Sequence, residues 1–206
     1  LFLPLLWIAR RDPAATVVVF PADHFIWEES RFLVHVCEAI RAVGRSPDRL
    51  TLLGVEAAGP ERSYGWIIPS QRLDEGMGTE LYTVERFWEK PDRHAALQLY
   101  ARGALWNTLV IVGRLATVLG LGERTVPAAF KPLQAVAHCL GTPDEADALA
   151  KAYRHCPPTN LSRALLTECA KSLLVLAARG VFWNDWGDPE RIVRTLRQLH
   201  QYPAWL

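Results

Sequence analysis

Three short segments limit what this chain can become. Thr16-Val17-Val18-Val19-Phe20, Leu50-Thr51-Leu52-Leu53-Gly54-Val55 and residues 173–178 (LLVLAA) are almost continuously apolar, without the polar alternation of a strand that has one wet face. Runs of this kind suit strands covered on both sides, at the centre of a sheet flanked by helices. Between the first two, Phe32, Val36, Ile40 and Val43 recur at helical spacing, with Glu28, Glu29 and Arg31 at the start and Gly44 at the end. Residues 16–55 therefore read as strand–helix–strand, and a right-handed crossover in a parallel sheet is the expected geometry.

The remaining pattern continues the theme. Residues 5–11 read as the end of a helix closed by Asp12-Pro13, and residues 64–69 and 81–88 as longer strands joined by a Gly-rich, charged loop over 71–79. A helix over 92–102, a strand over 104–113 and a helix over 115–121 follow. Residues 126–156 are helical with a break at Gly141-Thr142-Pro143. The last helix opens on Asp188-Pro189-Glu190: a capping side chain, proline in the first turn and an acid against the dipole. The reading is a single α/β domain with a mainly parallel sheet.

Composition narrows the function classes. The 206 residues carry 23 Lys plus Arg against 22 Asp plus Glu, a formal net charge of +1, with no block of like charge. Nucleic acid and anionic membranes attract clustered cations, so neither is an expected partner. The apolar start over residues 1–9 is interrupted by Pro4 and is too short to span a bilayer; it also lacks the charged leader of a signal peptide. Cysteines at 37, 139, 156 and 169 form no CxxC, and the neighbours His138-Cys139 and His155-Cys156 do not have zinc-ligand spacing. Buried, reduced thiols in a cytoplasmic compartment are expected.

Chemistry-bearing residues concentrate in four places. Asp23, in Phe20-Pro21-Ala22-Asp23-His24-Phe25, lies just past the end of a buried strand, where open α/β sheets bind ligands. Spacing alone leaves open a turn-forming or capping role. Trp183-Asn184-Asp185-Trp186-Gly187 holds Asp185 between two indoles, while Asp188 is explained as a helix cap. Two carboxylates from separate strand ends can share one Mg2+, whose other ligands come from water and substrate phosphates. In Phe87-Trp88-Glu89-Lys90-Pro91-Asp92 the proline pushes Lys90 into an extended conformation. Lys90 is then a point charge for a phosphate and Glu89 an acceptor for sugar hydroxyls, unless the pair is simply a solvated strand end. Trp106-Asn107 pairs an aromatic platform with an amide, and Gly65 offers close backbone approach. Ser162 reads as a helix N-cap and His24 as a loop-shaping residue. No Ser-His-Asp or Cys-His arrangement is evident.

In this order the segments TVVVFPADHF (16–25), LLGV (52–55), SYGWI (63–67), RFWEKPD (86–92), LWN (105–107), LSRALL (161–166) and FWNDWGDPERI (182–192) resemble the sugar-1-phosphate nucleotidyltransferases, most closely the mannose-1-phosphate guanylyltransferase branch. The resemblance spans nearly the whole chain. It implies a Rossmann-like three-layer α/β nucleotidyltransferase domain over residues 1–206, with a mostly parallel mixed sheet. The implied reaction is Mg2+-dependent, in-line transfer of a guanylyl group from GTP to mannose 1-phosphate, giving GDP-mannose and pyrophosphate. Thymidylyl- or uridylyltransferases, or a non-catalytic sugar-phosphate-binding homologue, are the alternatives. By resemblance, Asp23 and Asp185 hold the metal, Lys90 contacts the sugar phosphate, and Glu89, Gly65 and Asn107 line the sugar pocket. Expected partners are GTP and mannose 1-phosphate, with a homo-oligomer allowed.

Two positions depart from the family pattern: Thr108-Leu109 replaces a small pair such as Ser-Gly, and Glu61-Arg62-Ser63 stands where a Thr-Gly or similar pair is common. The family's GGxGxRLxPL loop, whose backbone N–H groups cradle the triphosphate, has no match here. The expectation is a domain whose N-terminal strand–loop unit is missing and which by itself is incomplete for catalysis.

Overall fold

A computed structural model describes residues 1–73 and 79–204. Part of the expected 71–79 loop, residues 74–78, lies outside them. Helix α1 (Phe2–Arg11) is followed by strand β1 (Thr16–Val19), the short β2 (His24–Ile26), α2 (Glu29–Arg45) and β3 (Leu50–Glu56). Then come β4 (Gly65–Leu73), β5 (Leu81–Glu89), α3 (Arg93–Ala101), β6 (Leu105–Arg114), α4 (Leu115–Thr125), α5 (Pro127–Gln134) and α6 (Glu145–His155). A π-helical turn (Ser162–Leu166) and a 3-10 turn (Ala170–Ser172) lead into β7 (Leu173–Ala177), β8 (Trp183–Asp185) and α7 (Pro189–Gln198).

Two of the three apolar runs are central, as expected. The first, β1, is instead the edge strand next to β6, with only Val17 buried and Phe20 exposed. Every residue of β7 is buried, and so is every residue of β3 except Glu56. Successive side chains point to opposite faces. Leu52 and Val175 join one core with α1, α4 and α5, where Phe2 meets Phe130 edge-on at 5.1 Å. Leu53, Leu174 and Leu176 pack on the other face beneath Phe32, Val36 and Val43 of α2. Ile40, expected in that stripe, is instead exposed, and Ala39 and Ala42 take its place against the sheet. Small side chains there let the helix lie close.

The sheet runs β1-β6-β3-β7-β5-β4, with β4 also pairing to β6. The α/β class and the mixed sheet are as expected, but the mostly parallel pairing is corrected. Among the described pairings only β3–β7 is parallel; β1–β6, β3–β6, β4–β5, β4–β6 and β5–β7 are antiparallel. Strands β1 and β3 do run in the same direction, but β6 lies hydrogen-bonded between them. Burial on both faces is the same for either pairing sense, so an apolar run does not report it.

Two other expectations change. The cap of the 162–166 turn comes from Asn160, whose Oδ1 accepts from the Arg163 N–H at 2.9 Å, and not from Ser162. Only Cys169 of the four cysteines is fully buried; Cys37 is exposed. Among the described residues no helix is long and apolar enough to cross a membrane.

Candidate active site

The two acids of interest come together through the smallest elements of the fold. Strands β2 and β8, three residues each, pair antiparallel with His24 opposite Asp185. The Trp186 N–H donates to the Asp23 carbonyl at 2.7 Å and extends the ladder by one bond. The Gly187 N–H then turns back to Asp185 Oδ1, also at 2.7 Å. A Cβ added to Gly187 would lie 2.9 Å from Asp185 Oδ1 and 3.2 Å from Asp23 Oδ2. Both carboxylates thus crowd the same side of the Gly187 backbone, and only glycine fits there without displacing one of them. Among the described residues no group of three or more His, Cys, Asp or Glu gathers as a closed metal cage. His24 packs edge-on against Trp183 at 5.1 Å. Burial pushes its imidazole below the ordinary pKa, although Asp23 and Asp185 both pull it up.

Across a cavity of about 170 Å3, Asp23 and Asp185 share the lining with Gly65, Glu89 and Asn107. Gly65 sits opposite Glu89 in the β4–β5 ladder. A side chain at Gly65 would come within 2.8 Å of the Phe87 ring and 3.0 Å of Glu89 Oε2, so glycine gives the carboxylate its space. Burial raises the Glu89 carboxyl above its ordinary range, against the pull of Lys90, a hydrogen bond from Asn160, and Arg163. Asn107 is buried, its Oδ1 accepting from the Leu109 N–H at 3.1 Å. Thr108 donates to the Leu53 carbonyl at 2.7 Å and accepts from the Val110 N–H at 3.2 Å. These bonds hold a bulge in β6, where the ladder with β3 shifts register between Leu52 and Gly54. At its crest Leu109 has φ 58, a conformation that favours glycine.

Lys90 is placed differently from its neighbours. It is exposed, is not among the residues lining this cavity, and has φ 46 instead of the expected extended backbone. A residue before proline favours extended backbone, so the left-handed conformation of Lys90 departs from that preference. The chain needs a tight reversal here because Asp92 already caps α3, accepting from the Ala95 N–H at 2.8 Å. A bigger cavity of about 610 Å3 lies between α5 and α6, away from this cluster.

Sequence reasoning missed Arg191. Its guanidinium donates to Asp185 Oδ2 at 2.8 Å and lies 4.6 Å from the centre of the Tyr64 ring. A second nitrogen donates to Ser63 Oγ. The signal was present: a cation in the first turn of α7 opposes the helix dipole and needs a specific partner to be stable there. Tyr64 is held in turn by Asn184, whose Oδ1 accepts its hydroxyl at 2.7 Å and whose amide donates to Thr195 Oγ1 at 2.8 Å.

The nucleotidyl transferase family profile matches residues 3–201. The chain belongs to the nucleotidyl transferase family. This nucleotidyl transferase is 30% identical over 176 residues to the xanthan biosynthesis protein XanB of Xanthomonas campestris, a match covering 84% of the chain and 35% of that protein. It is 25% identical over 174 residues to the mannose-1-phosphate guanylyltransferase RfbM of Salmonella typhimurium, again 84% of the chain and 35% of the relative. The chain therefore spans about a third of the length of the curated relatives it matches. In three dimensions it superimposes on the mannose-1-phosphate geranyltransferase structure from Thermus thermophilus. The TM-score is 0.78 at 24% identity, covering 98% of this chain and 54% of that one, which is a likeness of fold.

Proposed function

We propose that this nucleotidyl transferase acts on hexose 1-phosphates as a mannose-1-phosphate guanylyltransferase and supplies the metal and sugar-phosphate side of that reaction. The observation that carries the reading is that Asp23 and Asp185, both flanking Gly187, line one cavity with Gly65, Glu89 and Asn107. The donor set suits a hard, hydrated divalent cation such as Mg2+. When bound, that ion offsets the charge of the phosphates. The relative named mannose-1-phosphate guanylyltransferase supports the same chemistry.

In this proposal a phosphate oxygen of mannose 1-phosphate attacks the α-phosphorus of GTP, and the bond to the leaving pyrophosphate breaks. No protein nucleophile takes part. The residues hold two anionic substrates in line, which is where most of the barrier reduction for phosphoryl-group chemistry arises. Glu89 accepts from hexose hydroxyls, and Asn107 presents its amide N–H to the sugar while its oxygen is held by Leu109. Gly65 admits the sugar ring against the strand. Lys90, on the exposed turn that follows Glu89, meets the sugar phosphate as a point charge. Four unpaired cysteines fit a reducing, cytoplasmic setting.

Calorimetric titration of the chain with mannose 1-phosphate tests the proposal. Saturable binding is expected, weakened about tenfold in Glu89→Gln, the cost of losing a hydrogen bond to a charged acceptor. Absence of any heat of binding overturns the sugar-phosphate assignment. Tighter binding of glucose 1-phosphate than of mannose 1-phosphate would move the chain toward the thymidylyl- and uridylyltransferases.

A further inference from the structure

The Arg191 guanidinium is shared among three groups, and each contact has a direction. One nitrogen holds Asp185 Oδ2 at 2.8 Å; the other donates to Ser63 Oγ, which passes its own proton donation to Glu61 Oε1 at 2.6 Å. The planar cation lies over Tyr64. The Arg191 side chain is 16% exposed and Asp185 29%, so the pair is largely withdrawn from water. With Gly187 N–H on Oδ1 and Arg191 on Oδ2, both oxygens of Asp185 are held and the carboxylate plane cannot swing. Oδ1 is the Asp185 oxygen that, together with Asp23 Oδ2, flanks Gly187. The segment 61–63, which departs from the family pattern, is thus physically joined to the metal-side acid by one arginine.

Two effects of that arginine oppose each other. A guanidinium beside a cation site repels the cation, whereas a fixed ligand binds it better than a mobile one. Glu61 decides between them. Partial burial pushes its carboxyl up, but hydrogen bonds from Ser63 and Arg62 and the nearby Arg191 outweigh this and keep it below its ordinary value. Glu61, joined to Arg191 through Ser63, is therefore an anion that offsets part of the Arg191 charge, and the two bonds that hold Asp185 supply the orientation.

We infer that Arg191 is a positioning residue: it fixes the Asp185 carboxylate beside that of Asp23 for a cation in the cavity they share, while Glu61, through Ser63, offsets its charge. The inference rests on the metal reading of Asp23 and Asp185. Groups that hold metal-binding carboxylates from behind commonly contribute ten- to a hundredfold to affinity.

The test is Mn2+ binding to the chain without substrates, followed by the electron paramagnetic resonance signal of free Mn2+. Arg191→Met is expected to weaken binding about tenfold. Arg191→Lys recovers part of this, since an ammonium reaches Asp185 but does not bridge to Ser63 as well. Glu61→Gln weakens binding by a smaller factor that shrinks as salt is raised. Unchanged or tighter Mn2+ binding in Arg191→Met overturns the inference. Should that variant fail to fold, wild-type affinity in both Arg191→Lys and Glu61→Gln overturns it equally. If Asp185→Asn retains wild-type Mn2+ affinity, or the parent chain binds no Mn2+, the metal reading itself falls.

Discussion

Two glutamates in and beside the site respond to their surroundings in opposite senses. Glu89 is raised by burial, so the folded state favours its protonated form; its contribution to stability is full below the ordinary value of 4.5 and is lost as pH rises through the higher folded value. Glu61 is lowered, so its contribution is present above 4.5 and is lost as pH falls through the lower folded value. Chemical denaturation across pH 3 to 8 therefore separates them, taking about 4.5 as the turning point. Stability relative to Glu89→Gln should fall as pH rises, while stability relative to Glu61→Gln should rise; parallel curves would refute the environments described. Backbone strain shows the same local specificity. Lys90 and Leu109 both have positive φ, each in a segment that borders the site, and neither is the glycine that such a φ favours. For Leu109 this explains why a small pair ending in glycine suits the position: the bulge of β6 demands that conformation whatever residue occupies it.

At the scale of elements, the β2–β8 pair shows how little regular structure a site requires. Three residues on each side bring together acids from opposite ends of the chain, and α7 delivers Arg191 within two turns of Asp185. The loop between β8 and α7 has to pass the carboxylates without filling the space they face. Gly187→Ala should consequently reduce Mn2+ affinity about tenfold, because the new methyl must displace Asp185 Oδ1 or Asp23 Oδ2. Gly187 is exposed and its loop is outside the core, so the unfolding free energy should move by less than about 0.5 kcal/mol. Retained Mn2+ affinity with altered stability would show that the glycine serves the turn and not the cation position.

Over the whole molecule, the central strands are packed from both faces. Leu174 is fully buried beneath α2, while its neighbour Val175 packs toward α1, α4 and α5. Leu174→Ala should cost about 2–5 kcal/mol by urea denaturation, as for other leucines truncated in closed cores. A loss below about 1 kcal/mol would mean that this interface is not close-packed. Much of this architecture was legible beforehand. Hydrophobic period distinguishes a two-sided strand from an amphipathic helix, and the elements beginning at Thr16, Glu29, Leu50, Leu81 and Leu173 fall where those periods put them. The antiparallel seat of β6 was not legible, since a buried strand has the same composition beside either kind of neighbour. The same distinction applies to the site. Asp23, Asp185, Gly65, Glu89 and Asn107 could be singled out because acids, amides and glycines at strand ends are costly without a reason. That they line one cavity, that Lys90 is not among its lining residues, and that Arg191 reaches both Asp185 and Ser63 depend on distances between remote parts of the chain. Local side-chain chemistry, acting through burial and turn preference, was determined residue by residue in the sequence. Pairing sense and convergence were decided only by tertiary structure, because they arise from contacts whose two halves are far apart along the polypeptide.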